Sequence, residues 1–367
     1  MTNRFSAMLD DPRRRNLAIL AGVAIVMLIL AGVGLAYQAS YTASREKAVL
    51  FFPNLVSHVR QIAHIRIQSK KGVVDVVFKP EKTWVVANKD DYPASYEQVR
   101  ATVIAMATLT TLEKKTARRD WFPYIGLVSP AHGGDAKEIT LLDEKGGVIA
   151  SIIAGKTEDI GDPEGAIGLF VRRPGDAQSW LARAVVEPKS DLGDWLDKDV
   201  MTIDRARIQE ADVDPLTGPS YVVRRDKQSD ADFRLLEMPR GREVSYEGAP
   251  DGVAAAVVDF SFEDVKPARD FDFSNPFRAA RVVTKTFDGL VVTVNVVQQG
   301  QDYWAIVSAD GKGPDARNEA RQINARASGW AYKLPASKGL QFMTPLESLL
   351  KPKGGATAAQ QPVPPAQ

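Results

Sequence analysis

A run of about 21 uncharged, mostly apolar residues at 17–37 (LAILAGVAIVMLILAGVGLAY) constrains this chain more than any other feature. As a helix rising ~1.5 Å per residue it extends roughly 31 Å, the thickness of a bilayer's hydrocarbon core. Leu17, Leu20, Val23, Met27, Leu30 and Leu35 supply its apolar bulk. The expectation is one transmembrane signal anchor preceded by a basic stub, residues 1–16. Arg13, Arg14 and Arg15 crowd its N-terminal edge, whereas the first cations beyond it are Arg45 and Lys47. By the positive-inside rule this bias keeps the N-terminus cytoplasmic and exports the body. The competing reading is a cleaved signal peptide ending near Gly34-Leu35-Ala36, but the apolar run exceeds the ~7–15 residues such a peptide uses. Ala18 and Gly22, and Gly32 and Ala36, have a small-residue spacing that lets two such helices approach as a weak homo-oligomer.

The rest of the 367 residues reads as water-soluble protein. Forty-seven basic against 46 acidic side chains give a net charge of +1, with the two signs interspersed rather than gathered into a basic stripe. Nucleic acid is therefore not an expected partner. Cysteine is absent, which excludes disulfides, thiolate metal sites and cysteine nucleophiles together.

Apolar spacing divides this body into alternating strands and helices. Leu55, Val59 and Ile62 have helical spacing, followed by strand patterns at Ile65 and Ile67, at Val74 to Phe78 and at Trp84 to Val86. Ser95 and Gln98 have the capping-box form ahead of a helix whose apolar face is Val99, Val103, Ile104 and Met106. The Pro-interrupted aromatic stretch from Trp121 to Leu127 reads as a loop plugging the core. Strand signals return at Ile139 and Leu141, at 148–152, at 169–171 and at 179–182. After Trp195 the order repeats: strands at Tyr221 and Phe233, a helix through Val253, Ala256, Val257 and Phe260, and a hairpin over 281–297 turning at Asp288-Gly289. A third strand at 303–307 and a helix through Ala316, Ala320 and Ile323 follow. Gly329-Trp330-Ala331-Tyr332 reads as the counterpart of the first aromatic loop. The expected class is α+β: one N-terminal transmembrane helix, then two tandem units with antiparallel sheets, 38–205 and 206–350, read as a duplication. Residues 351–367, rich in Ala, Gln and Pro, read as a disordered tail.

Several of these residues resemble the DUF4340 family. The resemblance is carried by the strand–Trp84–helix segment, the Ile139 to Ile152 hairpin and Trp195-Leu196-Asp197-Lys198 with Ile203, Ile208 and Val213. Tyr221, Arg224, Phe233 and Leu235 continue it, over roughly residues 60 to 265. It implies a protein anchored in the bacterial inner membrane and facing the periplasm, with ABC transporter subunits as partners. It brings no catalytic residues and no cofactor.

No motif nominates a reaction. Gly155-Lys156-Thr157 lacks the upstream glycine of a phosphate loop, where Ala150 stands instead, and runs into Glu158-Asp159, so it reads as a strand-ending turn. His58, His64 and His132 lack metal-ligand spacing. Asp270-Phe271-Asp272-Phe273 misses the glycine of a calcium loop and reads as an amphipathic strand or edge loop, and Asp259, Glu263 and Asp264 are unpaired by sequence alone. Trp84, Trp121, Trp195 and Trp330 are expected as core anchors. The resulting expectation is a non-enzymatic accessory or scaffold protein held by 17–37 in the bilayer. The alternatives are a polysaccharide- or peptidoglycan-binding module using Trp121, Phe122 and Tyr124, and a hydrolase with a carboxylate or serine site that no motif nominates, which a pocket with two converging acids would favour.

Overall fold

The computed structural model describes residues 49–81, 83–274 and 279–352. The anchor positions Leu17, Leu20, Val23, Met27, Leu30 and Leu35, the arginines 13–15 and the tail from 353 lie outside the described residues. Among the described residues no helix is long and apolar enough to cross a membrane. The protein is α+β, with two antiparallel sheets. The described chain divides into two compact units, one holding 49–62, Arg66–Gly72 and Arg100–Ser190, the other Ala63–Ile65, Val73–Val99 and 191–352.

In the first unit six strands run antiparallel in the order Val49–Leu50, Thr110–Lys114, Ser179–Ala184, Ile167–Arg172, Val148–Glu158 and Lys137–Leu142. Alternation puts Ile139, Leu141, Ile152, Leu169 and Leu181 on buried positions. The helix Tyr96–Thr108 starts where the capping box is expected, the Gln98 N–H donating to Ser95 Oγ at 3.2 Å. Its Thr102, Ala105 and Met106 face Ile139, Ile152, Leu169 and Ala184 across a residual void of about 30 Å³. Val99, Val103 and Met106 are buried, but Ile104 is exposed: it lies one residue, hence ~100° of helical rotation, beyond Val103. The expected helix at Leu55 is one turn, Leu55–His58, continued by the 3-10 turn Val59–Gln61.

The second sheet, in the second unit, has eight strands in the order Arg234–Leu235, Tyr221–Arg224, Ile208–Asp214, Ala279–Thr286, Leu290–Gln299, Asp302–Gly311, Trp330–Leu334 and Asp264–Pro267. The Asp288-Gly289 hairpin forms as expected, with Gly289 at φ 90°. On the central strand Leu290, Val292, Val294 and Val296 are fully buried, while Val291, Thr293 and Asn295 are half-buried. The helix Pro314–Ala327 lays Ala316, Ala320, Ile323 and Ala327 on the sheet, small residues that let the helix approach closely. Asn324 ties it there, its amide donating to the Ala309 carbonyl at 2.7 Å and accepting the Ala309 N–H at 2.8 Å.

Other elements differ from the sequence reading. Trp330 and Tyr332 belong to a strand, not a loop, because their alternation buries Tyr332 against Phe260 and Phe262. Tyr92 packs edge-on to Trp330 at 5.0 Å, and its hydroxyl donates to the Asp197 carbonyl; burial and the neighbouring Tyr332 push its pKa up. The helix placed through Phe260 runs earlier, as Ala249–Ala254 with a 3-10 turn Ala255–Val257, and stops before Asp259, whose φ of 51° is left-handed.

Among the described residues two arginines are buried without a carboxylate partner in hydrogen-bonding contact, and both are cased in main-chain carbonyls. Arg225, 3 % exposed, donates to the carbonyls of Ile208 (2.7 Å), Arg205 (2.8 Å), Ala206 (2.6 Å) and Asp230 (3.0 Å), with its guanidinium 5.0 Å from the Phe233 ring. In the first unit Arg172 Nε donates to the Leu127 carbonyl at 3.1 Å while the guanidinium sits 4.9 Å from the Phe122 ring. Burial pulls both pKa values down from the usual arginine value. An arginine stays charged even so, and its five donors must be satisfied. Replacing Arg225 by Met leaves these carbonyls without their donor, so a loss of about 3 kcal/mol is expected in urea unfolding. A loss near zero would mean the loops at 204–208 and 226–230 hold themselves.

Candidate functional site

Two places on the described surface concentrate chemistry. The first lies in the first unit, on the stretch expected to be a core-plugging loop. It is a 3-10 turn Arg119–Trp121 followed by the one-turn helix Phe122–Ile125, closed by Gly126 at φ 70°. Pro123 sits at the helix start, where its missing N–H costs nothing. Phe122 alone of the three expected contact aromatics is buried, in a cluster with Leu127, Ala136 and Ile153. Trp121 is 51 % and Tyr124 73 % exposed, with ring centroids 6.1 Å apart. Trp121 is therefore not a core anchor. Trp195 is, at 0 % exposure, while Trp84 and Trp330 are half-buried. The reason is local: a single helical turn pinned through Phe122 has one face to bury, and Trp121 and Tyr124 fall on the other.

Basic side chains flank Trp121. The Arg118 guanidinium lies 5.9 Å from the Trp121 ring and pairs with Asp120 at 2.6 Å, which holds the Asp120 carboxyl below the usual carboxylate range. Lys115 pairs with Glu113 at 2.8 Å, and Lys114 lies over Trp180. Lys156 packs along Gly126, and Arg119 is exposed beside Trp121.

Gly155-Lys156-Thr157 lies behind this turn and is not a strand-ending turn. It falls inside the strand Val148–Glu158, at a bulge where pairing to Ile167–Arg172 shifts register between Ala154 and Thr157. A Cβ on Gly155 would stand 2.3 Å from the Ile125 carbonyl oxygen, so the glycine serves backbone approach rather than phosphate.

The second place is an open cleft of about 820 Å³ in the second unit, floored by Phe233, Leu235, Met238 and Pro250 and rimmed by Asp226, Asp230, Asp232, Glu247, Lys227 and Arg234. Asp251 accepts the Phe233 N–H at 2.7 Å on one oxygen and the Arg205 guanidinium at 2.8 Å on the other. Desolvation, then the neighbouring Asp251 charge, raises the Asp232 pKa. The pair has the form of two converging acids, yet both Asp251 oxygens are committed to the fold. Sequence spacing gave no sign of it, since the partners sit 19 residues apart in chain segments read as a loop and a helix start.

The remaining candidates are not gathered. His58 Nδ1 is 2.8 Å from the Asn54 carbonyl, His64 Nε2 is 2.9 Å from Asp75, and His132 is exposed in the turn Pro130–His132. Asp264 pairs with Lys89 at 2.6 Å. Asp272 caps Ser274 in a loop rather than a strand, with Phe271 and Phe273 turned onto Trp304, Ala279 and Val297. Among the described residues no group of three or more His, Asp or Glu is placed to hold a metal ion.

Fold and surface together define an α+β protein whose most distinctive surface features are an aromatic–basic turn and an acid-rimmed cleft. The family model for DUF4340, a domain of unknown function, matches residues 84–276, just over half of the 367, and the chain belongs to that family. The matched stretch opens at Trp84 and takes in the Trp195 segment, the Tyr221 strand, Phe233 and the strand Arg234–Leu235 on which the resemblance was read. No curated protein and no solved structure matches the chain.

Gly155→Ala is expected to displace the turn 122–126 and cost about 1–3 kcal/mol in unfolding experiments, whereas Lys156→Ala costs under ~0.5 kcal/mol. Equal effects would return the triplet to a role for its lysine. For Asp232, a pKa raised on folding means that the native state binds the proton more tightly. Its contribution therefore falls as pH rises from the ordinary carboxylate range through the native pKa. Asp232→Asn is thus expected to raise the melting temperature at pH 7 and to lose that advantage at pH ~4; the opposite trend would show that the two carboxylates do not repel.

Proposed function

We infer that this chain is a non-enzymatic, single-span protein of the bacterial inner membrane, its α+β body held in the periplasm as an accessory or scaffold to an ABC-type transporter or another envelope complex. The observation that carries this reading is the uncharged run 17–37 beside Arg13, Arg14 and Arg15, followed by a folded body whose described part starts at Val49. Strands, helix and strands recur in the second half, which supports reading the body as two tandem related units. Membership of the DUF4340 family agrees with it, since that resemblance implies a protein anchored this way. A carboxylate hydrolase requires a free acid pair, and the pair in the cleft has one carboxylate locked by Arg205 and Phe233.

Cross-linking in intact membranes, followed by gentle solubilisation and identification of what co-purifies, tests the proposal. Permease and ATPase subunits of one transporter are the expected catch. A body that retains glycan and brings no protein partner would replace this reading with a binding module or an enzyme.

A further inference from the structure

We propose that Trp121 and Tyr124, with the basic side chains at their turn, form a face that lies against anionic phospholipid headgroups and seats the first unit on the bilayer. The inference rests on the membrane-anchored reading above. Three observations carry it.

The first is chemical. An exposed Trp and an exposed Tyr on one helical turn present amphipathic rings of the kind that settle at headgroup level. Arg118 lies over Trp121, Arg119 stands on the same turn and Lys156 packs along Gly126, against the one carboxylate of Asp120, so basic side chains outnumber acidic ones at the turn. A bare glycan would engage the rings but has no use for the cations; an anionic lipid surface uses both.

The second is where the chain enters. The strand Val49–Leu50 pairs with Thr110 and Thr111, on the strand that leads through Lys114 toward Arg118. Arg173 donates to the Phe51 carbonyl at 2.5 Å and lies 4.5 Å from the Phe51 ring, and its neighbour Arg172 stacks on Phe122. One peptide unit thus links the first described residues to the floor of the aromatic turn. Val49, 56 % exposed, and Leu50 extend the apolar surface at this entry.

The third is reach. Eleven residues separate Tyr37 from Val49, and the twelve steps between them, at ~3.3–3.6 Å each, span at most roughly 43 Å. A unit tethered that closely meets the lipid surface at high effective concentration, so a weak patch suffices.

The test uses the full chain reconstituted into vesicles of phosphatidylcholine alone or of phosphatidylcholine with phosphatidylglycerol, read by hydrogen–deuterium exchange. Exchange within 118–126 is expected to slow in the anionic vesicles only. In the variant carrying Arg118→Ser and Arg119→Ser that slowing is expected to shrink about fivefold per cation removed, the equivalent of ~1 kcal/mol per basic side chain at an anionic surface. Unchanged exchange in the strand Leu290–Gln299 shows that the variant is folded. Equal exchange of 118–126 in both lipids, with the protein retained through an alkaline carbonate wash, overturns the docking face and leaves the anchor standing. Slowing that appears only when peptidoglycan fragments are added also overturns it, and assigns the aromatic pair to glycan. Loss of the protein in the carbonate wash removes the anchor and the docking face together.

Discussion

A guanidinium withdrawn from water has to find its hydrogen bonds inside the protein, and in both units that requirement fixes the chain beside a candidate surface. Arg172 reaches the Leu127 carbonyl and lies on Phe122, which sets the turn that displays Trp121 and Tyr124. Arg225 collects carbonyls from 205–208 and from Asp230, which shapes the loop running into the acid-rimmed cleft. Because the acceptors are main-chain atoms, no other side chain has to match either arginine. The backbone path is the partner. Such charges cost desolvation that only full satisfaction offsets, so each loop has one conformation that works.

The elements that could be read from sequence are those whose signal is local. The hairpin over 281–297 rests on alternation and an Asp-Gly turn, and the helix start at Ser95 on a side chain that meets its own N–H three residues on. The errors come where a distant neighbour decides. Trp330 and Tyr332 look like a loop because Gly329 precedes them and aromatics crowd together; the pairing with Asp264–Pro267 and 303–305 makes them a strand. Gly155 looks like a turn because a Gly-Lys pair is common there; the Ile125 carbonyl, thirty residues upstream, is what requires the glycine.

The candidate surfaces were legible to different degrees for the same reason. Trp121, Phe122 and Tyr124 stand out in sequence as an aromatic stretch, but which ring points inward depends on Arg172 and on the one-turn helix around Pro123. The cleft was not legible, because Asp232 and Asp251 acquire meaning only through Arg205 and the Phe233 N–H. The DUF4340 family model covers residues 84–276, a stretch that holds the buried Trp195 and strands of both sheets.

The eight-stranded sheet is bounded by two very short strands, Arg234–Leu235 on one side and Asp264–Pro267 on the other, and the latter ends in a residue with no N–H to give. A neighbouring molecule seeking to extend the sheet finds too few exposed main-chain groups to form a ladder. Crowding therefore carries a low risk of sheet-to-sheet polymerisation at these edges, and recognition of another molecule falls to side chains, where specificity can be tuned one residue at a time.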